Sequence, residues 1–350
     1  MGVILSGGAQ RRSRRTSGAS AVEGQLREED VVAAIASIAG DRLQRRIVLG
    51  IGDDAALWQP SRSHRSAITT DMLVEGVHFT RETMTLEDAG WRAMTANASD
   101  LAAMGARPLL ATVALGVPAE YALEEVRELY GGLAAAAASV GMSIVGGDLS
   151  RAPVLTIAIT AVGEVRPSNL KTRAGARPGA VVAVTGDLGA ARAGLDVATN
   201  RVALHSEHSA IALRAFRHPE ARVAEGRFFA ASANVQAMMD VSDGLSTDLH
   251  RLSIASACGA IVETVPVSAA AREAAMQTGE DPERYALAGG EDFELLVAIG
   301  PRAFAHLSRR FAARFNRPLH RVGVLRAGAG IQFRGEPLTP TGWDHFLTSS

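Results

Sequence analysis

The feature that most constrains this chain is where its acidic residues fall. They recur where an apolar run or a glycine turn would end: GIGDDAA (Asp53, Asp54), TTDMLVEGVHF (Asp71), NASDLAAMGA (Asp100), VGGDLSR (Asp148), MDVSDGL (Asp240, Asp243) and AGGEDFELL (Glu291, Asp292). A single aspartate in a glycine turn serves turn geometry, because its side chain bonds nearby backbone amides. A whole set of this kind implies more. If the carboxylates converge they repel each other unless cations stand between them. The chain has 36 basic residues, of which only Lys171 is a lysine. Carboxylates without matching lysines point to hard cations, and hard cations point to phosphate chemistry. Lys171 sits in NLKTRAG, so there is neither a G-x-x-x-x-G-K-[ST] loop nor a strand lysine of the protein-kinase type.

The apolar pattern between these motifs alternates strands with helices. Leu26–Ala39 has helical spacing and stops at Gly40. A strand is expected over Ile47–Trp58, interrupted by the GIGDD turn, and another over Ser66–Phe79. Thr85-Leu86-Glu87-Asp88 caps a long helix reaching Gly105, with Asn97 and Asp100 on one face. Leu109–Val117 reads as a strand, Pro118 opens a helix to Val140, Ser143–Asp148 is a short strand ending in a glycine turn, and Val154–Val165 is a strand. Residues 166–180 are rich in Gly, Pro and Arg and form the best boundary. Beyond it, strands at Val181–Thr185, Ala237–Val241, Ala260–Val265, Phe293–Ile299, Arg321–Leu325 and Gly330–Phe333 alternate with helices. Those helices are Gly189–Ala198, Pro219–Ala233, Ser246–Ala257, Ser268–Gln277 and Pro301–Phe315. The expected fold class is α/β (of α+β type) with two mixed domains. The expected division is a disordered Arg-rich tail over 1–24, an N-terminal α/β domain over 25–166, and a C-terminal α/β domain over 167–350.

A net charge of −1 gives no case for nucleic acid or an anionic membrane. No apolar run reaches the roughly 18 residues of a membrane span. The one cysteine, Cys258, cannot form an intramolecular disulfide and suits a reducing, cytoplasmic setting. It reads as core packing rather than a nucleophile. His205-x-x-His208 is half of a zinc site, but no third ligand is near it in sequence, so it reads as polar surface.

Taken in order, GIGDDAAL, TTDMLVEGVHF, NASDLAAMGARP, VGGDLSR, DVSDGL, AGGEDFEL and GWDHF resemble the thiamine-monophosphate kinase family, within the aminoimidazole ribonucleotide synthetase-like superfamily. The resemblance runs from about Leu26 to Phe346. It implies ATP-dependent phosphorylation of thiamine phosphate to thiamine diphosphate. It also implies magnesium held by Asp54, Thr69, Thr70, Asp71, Asp100, Asp148 and Asp240, with Asp243 on a further ion. Asp54, Asp71, Asp148 and Asp240 would be the catalytic carboxylates. The nucleotide would meet Tyr130, Gly147, Asp148, Arg173 and Ser242, with Tyr130 stacking on adenine. Thiamine phosphate would lie near His78, Glu291 and Trp343, and a twofold dimer would form through the N-terminal sheets. The turn after Asp148 reads Leu149-Ser150, where relatives often carry a threonine. The acceptor is already an ionised phosphate monoester, so it needs no strong base, and in-line transfer rests on charge neutralisation and alignment. The alternatives are another ATP-dependent synthetase of the superfamily, or a non-catalytic nucleotide- or metal-binding homologue.

Overall fold

The computed structural model describes residues 27–40, 44–52 and 54–342. The tail over 1–24, Asp53 and Trp343 fall outside them. The chain divides into two compact units. One takes the described residues up to Arg62, with Ile68–Asn97 and Pro108–Val162; the other takes Ser63–Ala67, Ala98–Arg107 and the described residues from Gly163 on.

The first unit is built on a four-stranded sheet. Its strands are β3 (Arg65–Val74), β4 (Arg107–Val117), β5 (Ser143–Arg151) and β6 (Thr156–Val165), ordered β3-β6-β4-β5, after a short antiparallel pair, β1 (Ile47–Leu49) and β2 (Leu57–Trp58). The helices are α1 (Glu28–Ala39), α2 (Leu86–Ala103) and α3 (Leu123–Ser139). The cap expected for α2 is present. Asp88 N–H donates to Thr85 Oγ1 at 3.1 Å and Thr85 N–H donates to Asp88 Oδ2 at 3.0 Å, each satisfying an amide the helix cannot.

The expected glycine turn at Gly146-Gly147-Asp148 is corrected: β5 continues through it to Arg151, parallel to β4. A Cβ at Gly147 would lie 1.8 Å from the Val113 carbonyl oxygen. The glycine therefore serves close approach between two strands, beside a register shift at Ala111/Thr112.

The second unit holds a seven-stranded sheet ordered β13-β12-β9-β11-β7-β10-β8. Its strands are β7 (Val181–Val184), β8 (Val235–Asp240), β9 (Gly259–Val262), β10 (Leu295–Ile299), β11 (His320–Arg326), β12 (Ile331–Phe333) and β13 (Glu336–Leu338). The β9–β12 pair is parallel and the other neighbours are antiparallel. Every residue of β7 and β10 is buried, which explains why both read as continuous apolar runs. Alternation divides them between two cores. Val182, Val184, Leu296 and Ala298 face one, with α4 (Ala190–Ala198), α5 (Ser206–Arg217), α7 (Leu245–Ala255), α8 (Ala269–Thr278) and α9 (Pro282–Ala288). Ala183, Leu295, Val297 and Ile299 face the other, with α6 (Val223–Ala230) and α10 (Pro301–Phe315). Phe229 stacks on Phe311 there, ring centroids 5.4 Å apart. Cys258 is buried in the first of these cores. Helix α5 lies where the sequence suggests a polar loop, and α9 and β13 have no clear signal in the sequence. Among the described residues, no helix is long and apolar enough to cross a membrane.

Candidate functional site

In the second unit the acidic motifs meet around the end of β8. Asp240 closes that strand, is 2% exposed, and accepts a hydrogen bond from Ser99 Oγ at 2.6 Å. Burial, and then the charge of Asp100, push its carboxyl up to about 6, while Arg173 draws it down. Asp240 and Asp100 are thus neighbours of like charge, the condition a bound cation relieves. The turn after β8 carries Ser242 and Asp243 and reverses at Gly244, whose φ of 105° favours glycine.

That turn is organised by a residue outside every motif singled out above. Asp248, in the first turn of α7 and 0% exposed, accepts the backbone N–H groups of Ser242 and Asp243, each at 3.0 Å, and Arg251 Nη1 at 2.8 Å. Burial, followed by the charges of Asp240 and Asp243, pushes Asp248 up to about 7. Its signal in the sequence is an acidic residue one helical turn beyond a glycine turn, the place where a side chain can collect upstream amides. Asp243, expected to hold an ion, is also bonded to Arg251 Nη1.

The AGGED loop comes to the same turn. Glu291 N–H donates to the Ser242 carbonyl at 2.7 Å, and a Cβ at Gly290 would lie 2.9 Å from that oxygen. Glu291 adopts φ 64°, a left-handed conformation that costs a non-glycine residue. Asp292 instead caps α4, accepting Gly189 N–H at 2.8 Å. Thr341 and Gly342 are pinned to Ser246 Oγ and Thr247 Oγ1, leaving the chain beside Asp243 just before Trp343. Ser242, Asp243 and Glu291 are therefore brought together. Arg173 is exposed, and its carbonyl is held by Ser256 Oγ.

In the first unit Asp54 is exposed in the β1–β2 connection. On β3 alternation puts Thr69 and Asp71 on the half-buried face, with Ile68, Thr70 and Met72 on the exposed one. The Thr70 hydroxyl, on the exposed face, donates to the Ile159 carbonyl at 2.9 Å. Asp148 lies on β5, accepts Ser150 Oγ at 3.4 Å, and adjoins a recess of ≈ 250 Å³ lined by Leu149, Ser150, Arg151, Val117 and Val31. Asp71 and Asp148 occupy the two outer strands, three strand spacings or roughly 14 Å apart along the sheet. His78 Nδ1 accepts Val74 N–H at 3.0 Å, which fixes the neutral ring as the Nε2–H tautomer. Tyr130 is a core residue of α3, 2% exposed, its hydroxyl pKa raised by burial.

Both groups of donors are oxygen-rich and without cysteine, which suits magnesium. Residues 52–165 match the family model described as AIR synthase related protein, N-terminal domain. The thiamine-monophosphate kinase of Rhodopirellula baltica is 37% identical over 298 residues, covering 82% of this chain and 86% of that protein. The chain belongs to the thiamine-monophosphate kinase family. Its fold agrees: the crystal structure of the Stenotrophomonas maltophilia thiamine-monophosphate kinase superposes with TM-score 0.78 at 34% identity, covering 89% of this chain and 98% of that one. A solved structure of AaThiL complexed with AMPPCP and TMP superposes with TM-score 0.73 at 30% identity, covering 82% and 89%.

Proposed function

We propose that this protein is the kinase that transfers the γ-phosphoryl group of ATP directly, in line, to thiamine phosphate, giving thiamine diphosphate at a multi-magnesium carboxylate site. The observation that carries this reading is the completeness of the acidic set in a chain belonging to this family over most of its length. Magnesium would be held by Asp54, Asp71, Asp148 and the Thr69 and Thr70 oxygens in the first unit, and by Asp100, Asp240 and Asp243 in the second. Bound there, it would neutralise the phosphates and align the transferring group. The residues of the chain do the rest. Gly147, Arg173 and Ser242 contact the nucleotide. His78 offers an N–H to the acceptor phosphate. Glu291, whose backbone N–H donates to the Ser242 carbonyl, and Trp343 contribute to binding thiamine phosphate. We assign 25–166 as the ATP- and magnesium-binding domain and 167–350 as its C-terminal partner, working as a cytoplasmic homodimer.

The test is incubation with ATP, magnesium and thiamine phosphate, followed by chromatography for thiamine diphosphate. Product is expected with magnesium and not in excess chelator. Free thiamine should react at least about a hundredfold more slowly, because its alcohol lacks the anionic nucleophile and must lose a proton in the transition state. Equal rates on both acceptors would place the enzyme in another kinase class.

The dimer has its own measurement. On the exposed face of β3, Ile68 is 70% and Met72 54% exposed, an apolar stripe on an edge strand that a second sheet would cover. Light scattering at micromolar concentration should give twice the chain mass of 36.6 kDa, and Ile68→Lys should shift it toward the monomer. A monomeric wild type would contradict the assignment.

A further inference from the structure

The histidines of HSEH have a third partner that sequence distance conceals. His205 is the N-cap of α5 and His208 lies in its first turn. Glu273, from α8, inserts between them, with Oε1 2.7 Å from His205 Nδ1 and Oε2 2.5 Å from His208 Nδ1. One donor atom from each of the three residues lies within 4.8 Å of the others. The rings stand at 84° with centroids 6.2 Å apart, so their nitrogens converge from two directions.

We propose that His205, His208 and Glu273 form a binding site for one divalent transition ion of the zinc class, with a fourth position open to solvent. Two imidazoles and a carboxylate are a ligand set for zinc, copper or nickel and a poor one for magnesium. The site is therefore chemically distinct from the oxygen-only groups above. The framework is fixed in advance. Glu273 Oε1 also accepts His205 N–H at 2.9 Å, and Gln277, one turn further along α8, bonds both the N–H and the carbonyl of Ala203. The stretch of chain entering α5 is thus tied to α8 at two points, and little ordering is left for the ion to impose.

Zinc–ligand bonds of about 2.0 Å at tetrahedral angles separate ligand atoms by about 3.3 Å. The two nitrogen–oxygen contacts need open by less than about 1 Å to admit the ion, a movement within reach of side-chain rotation alone. Exposure is graded to match: the side chains of His205, His208 and Glu273 are 85%, 33% and 17% exposed. The carboxylate is sunk and the outer histidine faces water, which gives an entry path and a solvent-filled fourth position. An ion held here links the first turn of α5 to α8 and stabilises the second unit by mass action.

The competing account is a hydrogen-bonded helix cap that binds no ion. Calorimetry on the full untagged chain, stripped with chelator and returned to millimolar magnesium, separates the two. Zinc should bind with one equivalent that both His208→Asn and Glu273→Gln lose or weaken by more than about 100-fold, beyond what losing a residue that merely supports a ligand would cost. A wild-type measurement covers the case in which a variant fails to fold. Two imidazole proton resonances should shift together and saturate at one zinc per chain, and cobalt should give the visible ligand-field bands of a four-coordinate nitrogen–oxygen site. Unshifted imidazoles, or zinc binding identical in wild type and both variants, would overturn the proposal and leave the cap.

Discussion

Asp71→Asn and Asp148→Asn are each expected to lower thiamine phosphate turnover by about a hundredfold to a thousandfold, the scale on which one preorganised charge matters to a developing transition state. The substitutions keep shape and remove charge. Asp71 is half-buried on β3 and Asp148 half-buried on β5, both inside strands whose ladders use the backbone. Circular dichroism and melting temperature should therefore change little. The double variant is the sharper measurement. The two positions stand on opposite outer strands of one sheet. Residues that far apart with independent roles multiply their losses. Residues holding ions for the same phosphoryl transfer do not, and the double variant should then lose little more than the worse single one. Turnover that survives both substitutions, or that needs no magnesium, would remove the carboxylates from the chemistry.

The elements that carry these residues are legible in the sequence because their signals are local. Thr85 and Asp88 form the cap their spacing calls for, and the all-apolar runs of β7 and β10 are the two-sided core strands such runs describe. What is not legible depends on distant neighbours. Gly146-Gly147 reads as a turn because glycine serves turns, but the Val113 carbonyl of β4 is what requires Gly147. Helix α5 is hidden because it buries only Ala212 and Phe216 while Ile211 is 49% exposed, too narrow a stripe to outweigh a polar start. Glu273 and His208 are 65 positions apart, a separation no motif spans.

Asp248 supplies the second large effect, and its sign depends on what replaces it. The carboxylate is fully buried, and its folded pKa is raised from 3.8 to about 7. A carboxyl raised on folding binds its proton more tightly in the native state, so its contribution to stability falls as pH rises between those two values and is flat above them. The penalty grows by about 1.4 kcal/mol per pH unit across that window, reaching roughly 4 kcal/mol as an upper bound by pH 8. Opposing it are the Ser242 and Asp243 amides and Arg251, which all bind this side chain. Asp248→Asn keeps one oxygen for the two amides and removes the buried charge. Its melting temperature, measured in chelator, should therefore fall less than that of the wild type between pH 5 and pH 8. Asp248→Ala removes the acceptor as well and leaves two half-buried donors unpaired, each costing up to about 1–3 kcal/mol. It should be less stable than the wild type at every pH. Because the Ser242–Asp243 turn also holds the Glu291 backbone, turnover should fall at least about tenfold in the alanine variant. Parallel melting curves across pH for wild type and Asp248→Asn would show that the buried carboxylate is not what the pH dependence reports, and an alanine variant with wild-type turnover would release the Ser242–Asp243 turn from any role in positioning the substrate.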